Sequence, residues 1–209
     1  MSTVELESGI RLGPGLAGIL MSPDEFDAIE DYDGEFRYEL IHGVLVVSPL
    51  PLESEVDPNE ELGHMLRNYR DEHPKGSALD KTLPERYIRT ATSRRRADRV
   101  IWAGLGRTPD PKLDTVTIAV EFVSRAKSDR RRDYVEKRKE YQEIGVAEYW
   151  IIDRFRRAMT VFVNGPTGFE EKTIQAHETY RTPLLPGFEL PLARLLDVAD
   201  EWKATPDSE

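Results

Sequence analysis

The chain has 209 residues, no cysteine, and 39 acidic against 29 basic residues, which gives a formal net charge of −10 at pH 7. The absence of cysteine excludes disulfides, thiolate zinc sites and cysteine nucleophiles, and it fits a reducing cytoplasm. The N-terminus lacks the basic start of a signal peptide, and no apolar run reaches the roughly 20 residues that span a bilayer.

Charge is unevenly distributed along the chain. Residues 1–61 are strongly acidic, whereas arginine is concentrated at 86–99 and again at 125–132. A basic centre in an acidic protein is compatible with local binding of a polyanion. Ordinary surface pairing of these arginines explains the same pattern, so both interpretations stay open.

The N-terminal third reads as an arm, a short helix and a hairpin. Residues 1–20 are rich in glycine without a period, and we interpret them as a loosely ordered arm. Ser22 and Pro23, followed by acids, predict the start of a short helix. Two strand-like runs then flank His42-Gly43 between Phe36 and Ser48, which predicts a tight hairpin.

Helices and strands are predicted for the rest of the chain. A helix is predicted from Pro58 or Asn59 to about Glu72, and strands at 78–81, 85–90 and 97–102. A Val/Ile-rich run at 115–124, a helix and a second apolar run at 149–152 predict a strand–helix–strand unit. A hairpin at 160–174 and a closing helix at 192–202 complete a predicted single domain over residues 21–203, with a polar tail at 204–209.

Glu121 is unexpected because it lies between Val120 and Phe122 in a predicted central strand. A carboxylate there is costly to bury unless another group offsets its charge. On a helical wheel that starts at Asp133, both Asp133 and Lys137 fall within the arc of the apolar residues. The outer face is assigned to four other charged residues: Glu136, Lys139, Glu140 and Glu143. Lys137 is therefore predicted to point toward Glu121, although an exposed Asp133–Lys137 pair four residues apart is the simpler alternative.

Three acids and one lysine form a candidate site: Glu39, Asp98, Glu121 and Lys137. Two carboxylates on neighbouring strands can hold a hard divalent cation, with waters completing the coordination. A nearby lysine can orient or deprotonate a water, or stabilise charge on phosphate oxygens. These groups together suit hydrolysis of a phosphodiester.

Five segments resemble the Uma-type restriction endonuclease family, a branch of the PD-(D/E)xK nuclease superfamily. They are MSPDEF at 21–26, YELIHGVL at 38–45, ADRVIW at 97–102, AVEFVS at 119–124 and RDYVEKRKEYQEIGVAEYWIID at 132–153. The resemblance implies an α/β fold, with a mixed sheet flanked by helices and Mg²⁺, or Mn²⁺, at the acids. The last segment is the most specific of the five.

The resemblance also implies roles for individual residues. Asp98 matches the motif aspartate, Glu121 the motif glutamate and Glu39 the first acidic position. The usual superfamily lysine would stand where this chain has Val123, and in this branch Lys137 of the next helix supplies it. Ala97 stands in place of the proline of the motif, and His42 in place of the more usual acid of the hairpin.

The sequence therefore predicts a metal-dependent DNA endonuclease. Its expected catalytic residues are Glu39, Asp98, Glu121 and Lys137, with Asp98 and Glu121 as the metal ligands. DNA is the expected partner, a homodimer is compatible with the sequence, and no membrane is involved. The alternative is a non-catalytic nucleic-acid-binding or interaction protein that keeps the nuclease fold, in which Glu121 and Lys137 form a buried ion pair without catalysis.

Overall fold

The computed structural model describes residues 10–124 and 132–202, which fall into two compact units. Of the described residues, the first unit comprises residues 10–50 and 87–96, and the second comprises residues 51–86, 97–124 and 132–202. The expectation of one domain over residues 21–203 stays a prediction.

The described residues form twelve strands and four helices. The strands are β1 (Arg11–Leu12), β2 (Asp31–Tyr32), β3 (Phe36–Ile41), β4 (Val44–Pro49), β5 (Leu79–Arg89), β6 (Arg94–Ala103), β7 (Ile118–Phe122), β8 (Glu148–Asp153), β9 (Ala158–Gly165), β10 (Gly168–Gln175), β11 (Thr179–Tyr180) and β12 (Leu190–Pro191). The helices are α1 (Pro23–Asp27), α2 (Glu53–Glu72), α3, which joins a π-helical segment (Arg132–Lys137) to an α-helical segment (Arg138–Glu143), and α4 (Leu192–Glu201).

The first unit contains the predicted short helix and hairpin. Ser22 caps α1, because its hydroxyl accepts a hydrogen bond from the Glu25 amide while the Glu25 carboxylate accepts one from the Ser22 amide. The hairpin β3–β4 turns at His42 and Gly43, with φ values of 49° and 79°. Both predictions are confirmed.

Residues 10–20 are packed rather than loosely ordered. Leu12 is buried, and its carbonyl accepts a hydrogen bond from the Tyr38 hydroxyl at 3.2 Å. The Gly18 amide donates to the Leu45 carbonyl at 2.8 Å. This part of the predicted arm is therefore held by β3 and β4, while residues 1–9 and the tail at 204–209 lie outside the described residues.

The second unit is built on a mixed sheet with strand order β10–β9–β8–β7–β6, in which β7 and β8 are parallel and the other neighbours are antiparallel. Every residue of β7 and β8 is buried. Side chains of α2 and α4 share one apolar core with alternate residues of these strands: Leu62, Leu66, Val120, Phe122, Trp150, Leu195 and Leu196. The strand–helix–strand prediction is confirmed.

Two element boundaries differ from the prediction. Helix α2 begins at Glu53, because the Glu55 carboxylate accepts the Leu52 amide and closes an earlier first turn, and Pro58 lies inside the helix. Strand β5 is continuous where two short strands were expected. Its Glu85, which directly follows the internal Pro84, has a φ of 53°. In the part of the chain that the structure describes, no helix is long and apolar enough to cross a lipid bilayer.

Candidate active site

The pairing of β6 with β7 ends where the two acids lie. The ladder pairs Ile101 with Ile118, Val100 with Ala119 and Arg99 with Val120, and no further pair follows. Beyond it, the carboxylate of Asp98 accepts the Phe122 amide at 2.7 Å, through Oδ2. The Asp98 carboxylate thus accepts the Phe122 hydrogen bond that a backbone carbonyl of β6 would accept if the ladder continued.

Glu121 points away from the core shared with α2. Its neighbours Val120 and Phe122 both lie in that core, and successive side chains of a strand point to opposite faces. On the other face Glu121 meets α3, whose Lys137 Nζ lies 2.8 Å from Glu121 Oε1. The strand alternation and the inward face of α3 therefore bring these two residues together.

Lys137 Nζ also lies 3.5 Å from Oδ1 of Asp133, which is one turn earlier in α3. Glu121, Lys137 and Asp133 are 3%, 2% and 4% exposed, so the cluster is buried. The alternative of a solvated Asp133–Lys137 pair is wrong, since both partners are buried and the shorter contact is to Glu121. The lysine bridges the strand and the helix.

Two tyrosines enclose this cluster. The Tyr141 hydroxyl donates to Glu121 Oε1 at 3.4 Å, and the Tyr149 hydroxyl donates to the Asp133 carbonyl at 3.1 Å. Their rings meet edge to face at 5.0 Å. Burial raises the pKa of Tyr149 well above its usual value, and the nearby charges of Glu121 and Asp133 raise it further. The Tyr149 phenol is therefore protonated at neutral pH and acts as a donor.

The first part of α3 is π-helical. A π-turn holds more residues than an α-turn, so the residues after it are shifted around the helix relative to the wheel used above. Glu140, predicted on the outer face, is 5% exposed, so that prediction is wrong. It follows Asp133 by seven residues, close to two turns of about 3.6 residues each, so even a regular α-helix places it on the same face as Asp133.

Burial and neighbouring charges act together on the Glu121 carboxyl. Burial raises the pKa of Glu121 well above its ordinary value, the charges of Asp98 and Asp133 raise it further, and Lys137 opposes them. A divalent cation near Asp98 and Glu121 would oppose these effects in the same direction as Lys137 does. Carboxylate oxygens from Asp98 and Glu121, completed by waters, are a donor set that fits Mg²⁺ or Mn²⁺.

Within residues 10–124 and 132–202, no group of three or more His, Asp or Glu side chains is arranged to hold a metal. A cation between Asp98 and Glu121 would therefore depend on two carboxylates and on water. Glu39, the third predicted acid, lies in the first unit, where it is 4% exposed and accepts the Arg96 amide at 2.9 Å. Its part in the site stays a prediction.

Sequence reasoning missed Asn59 and Arg99. Asn59 of α2 donates from Nδ2 to the Asp98 carbonyl at 2.8 Å, and its Oδ1 accepts Arg99 Nε at 2.7 Å. Arg99 is fully buried, and burial lowers its pKa to about 10. The one sequence signal was an arginine directly after the motif aspartate, inside an apolar strand.

Several arginines of the basic segment at 86–99 are buried rather than exposed on the surface. Arg94, Arg95 and Arg99 are 7%, 0% and 0% exposed, so polyanion binding by these three is wrong. Arg94 Nη2 lies 2.9 Å from Asp27 Oδ2, because the acidic N-terminal region supplies its partner. The second arginine-rich stretch falls mostly within 125–131, outside the described residues.

Comparison with known proteins places this architecture in a family. The model of the Uma2 family, described as putative restriction endonuclease, matches residues 23–193, most of the chain. No curated protein matches.

Among solved structures, a putative nuclease from Anabaena variabilis has a similar fold, with a TM-score of 0.65 over 86% of this chain and 99% of that chain at 13% identity. The predicted α/β fold of restriction-endonuclease type is confirmed by this likeness and by the mixed sheet. The chain belongs to the Uma2 family of putative restriction endonucleases.

Proposed function

We propose that this chain is a divalent-metal-dependent endonuclease that hydrolyses phosphodiester bonds of DNA. The observation that carries the proposal is the buried contact between Lys137 and Glu121, whose pKa the charge of Asp98 also raises. An acid pair with a lysine suits phosphodiester hydrolysis, and membership of a family described as restriction endonucleases supports the same reaction.

Asp98 and Glu121 are the proposed metal ligands, with Mg²⁺ or Mn²⁺ as the cation. When bound, such a cation supplies a water of lowered pKa and offsets charge on the phosphate. Asp98 keeps one carboxylate oxygen on the Phe122 amide, which fixes the direction of the other. Glu121 is held from α3 by Lys137 and Tyr141.

Lys137 has two proposed tasks. As an ammonium it donates hydrogen bonds, so it can orient the attacking water or stabilise charge that develops on a phosphate oxygen. Its burial strengthens both effects, because charges interact more strongly away from bulk water. Glu39 is proposed as a supporting acid, on the strength of the family motif alone. The lack of cysteine fits action in a reducing cytoplasm.

One observation favours the rival function, a non-catalytic nucleic-acid-binding protein on the same fold. Lys137 Nζ is close to both Glu121 and Asp133, and a closed ion-pair cluster of this kind can be structural. The rival predicts that DNA is bound and left intact.

A cleavage assay distinguishes the two functions. Supercoiled plasmid and linear DNA are incubated with purified wild type, with Asp98→Asn and with Lys139→Met, in Mg²⁺ and in EDTA. The proposal predicts cleavage by wild type and Lys139→Met in Mg²⁺, and none by Asp98→Asn or in EDTA. Equal cleavage by wild type and Asp98→Asn would indicate a contaminant and refute the proposal, and a mobility shift without cleavage would support the rival.

A further inference from the structure

The two strands that carry the acids separate at the site. Continuing the ladder beyond Arg99 and Val120 would pair Asp98 with Glu121, but pairing stops before them. The Asp98 carboxylate instead takes the Phe122 amide, and the Asp98 carbonyl accepts Asn59 Nδ2. A buried backbone carbonyl requires a hydrogen-bond partner, and Asn59 supplies one that the ladder does not.

The Asn59 side chain is fixed in one orientation. Its Oδ1 accepts Arg99 Nε at 2.7 Å, and its backbone carbonyl accepts Arg99 Nη2 at 2.7 Å. A guanidinium can only donate, so it requires the oxygen of the Asn59 amide and leaves the NH₂ for Asp98. The amide therefore cannot flip without placing two donors against each other.

Arg99 is itself confined on every side. It is fully buried, and Nη1 donates to Thr82 Oγ1 at 3.2 Å while Nη2 lies 3.3 Å from Glu60 Oε1. A Cβ at Gly63 would lie 2.5 Å from Nη2, so a residue without a side chain is needed there. Helix α2 thus presents an asparagine and a glycine to one arginine of β6.

We propose that Asn59, held by Arg99, is a positioning residue for Asp98. Its hydrogen bond fixes the Asp98 backbone where the pairing with β7 ends, and this keeps the carboxylate on the Phe122 amide near Glu121. The inference rests on the proposed function, since Asp98 is the acid that would bind the cation. Partners behind a metal ligand typically contribute about 10- to 100-fold to metal affinity or activity when they are removed.

The test uses Asn59→Asp. The aspartate keeps an acceptor for Arg99, so the fold is preserved, but it has no donor for the Asp98 carbonyl. Asn68→Asp is the matched control, because Asn68 is an exposed residue of the same helix and the charge change is identical. Manganese affinity is measured by calorimetry, and amide hydrogen exchange is measured at Phe122 and Val123.

Asn59→Asp is expected to weaken Mn²⁺ binding by about 10-fold or more, with Asn68→Asp like wild type. Exchange should accelerate at Phe122 and not at Val123, whose amide donates to Ile152. Unchanged Mn²⁺ affinity, or equal acceleration at both amides, would overturn the inference, since the second result marks a purely structural role. If wild type neither binds Mn²⁺ nor cleaves DNA, the proposed function fails, while acceleration confined to Phe122 would still establish the positioning of Asp98.

Discussion

Replacing Lys137 by methionine tests the buried cluster directly. Methionine has a similar length, so the substitution removes the charge and leaves little cavity. Glu121 and Asp133 would lose an ammonium at 2.8 and 3.5 Å in a site from which water is excluded. Breaking a buried pair from one side costs about 3–5 kcal/mol, so the free energy of unfolding in EDTA at neutral pH should fall by about that amount.

The loss should depend on pH in a defined direction. Burial already raises the pKa of Glu121, and removing Lys137 removes the group that lowers it. A carboxyl whose pKa is higher in the folded than in the unfolded state destabilises the fold at high pH. This destabilisation disappears as the pH falls toward the carboxyl's pKa in the unfolded state. The deficit of Lys137→Met should therefore shrink as the pH falls from 7 toward about 5.

Urea denaturation in EDTA measures this deficit, and Lys139→Met is the control. Lys139 lies two residues away in α3, its side chain is 81% exposed, and it reaches Glu143 only at 3.9 Å. Its replacement should change stability by no more than about 0.5 kcal/mol. If Lys137→Met were as stable as Lys139→Met at pH 7, the buried-cluster reasoning would be refuted. Full DNA cleavage by folded Lys137→Met would separately remove this lysine from the mechanism.

Three further predictions concern other parts of the second unit. Tyr180→Phe should lower the free energy of unfolding by about 1.5–3 kcal/mol, because the Tyr180 hydroxyl donates at 3.0 Å to the buried carboxylate of Glu148. A urea midpoint equal to that of wild type would contradict this expectation. Gly63→Ala should cost about 1–3 kcal/mol through its clash with Arg99, whereas Gly34→Ala, with open space around its Cβ, should not. Millimolar Mg²⁺ should raise the melting temperature of wild type but not of Glu121→Gln, because a cation held by the folded state alone stabilises it.

The candidate site could be predicted largely because its residues follow local periodicities. Because successive side chains of a strand point to opposite faces, Glu121 lies on the other face of the sheet from Val120 and Phe122. Helical spacing places Lys137 on the inward face of α3. Both patterns act over a few residues, so the sequence displays them. The hairpin at His42-Gly43 and the cap at Ser22 were predictable for the same reason.

The features that the sequence did not reveal depend on distant partners or on altered helix geometry. Asn59 and Arg99 are 40 residues apart, and no local pattern relates them. Arg94 reads as a surface cation until its partner Asp27 is known, 67 positions earlier. Helix α2 begins before the predicted Pro58 or Asn59, because the Glu55 carboxylate accepts the Leu52 amide. The π-helical start of α3 corresponds to no residue pattern in the sequence.

The proposed function requires a divalent-cation site formed by Asp98 and Glu121, and calorimetric titration of Mg²⁺ measures binding at that site. Wild type, Asp98→Asn and Lys139→Met are titrated under identical conditions, with folding checked by circular dichroism. We expect saturable binding by wild type and by Lys139→Met, and loss of that binding in Asp98→Asn. Binding that is the same in all three proteins, or absent from all three, would contradict a metal site at these two acids.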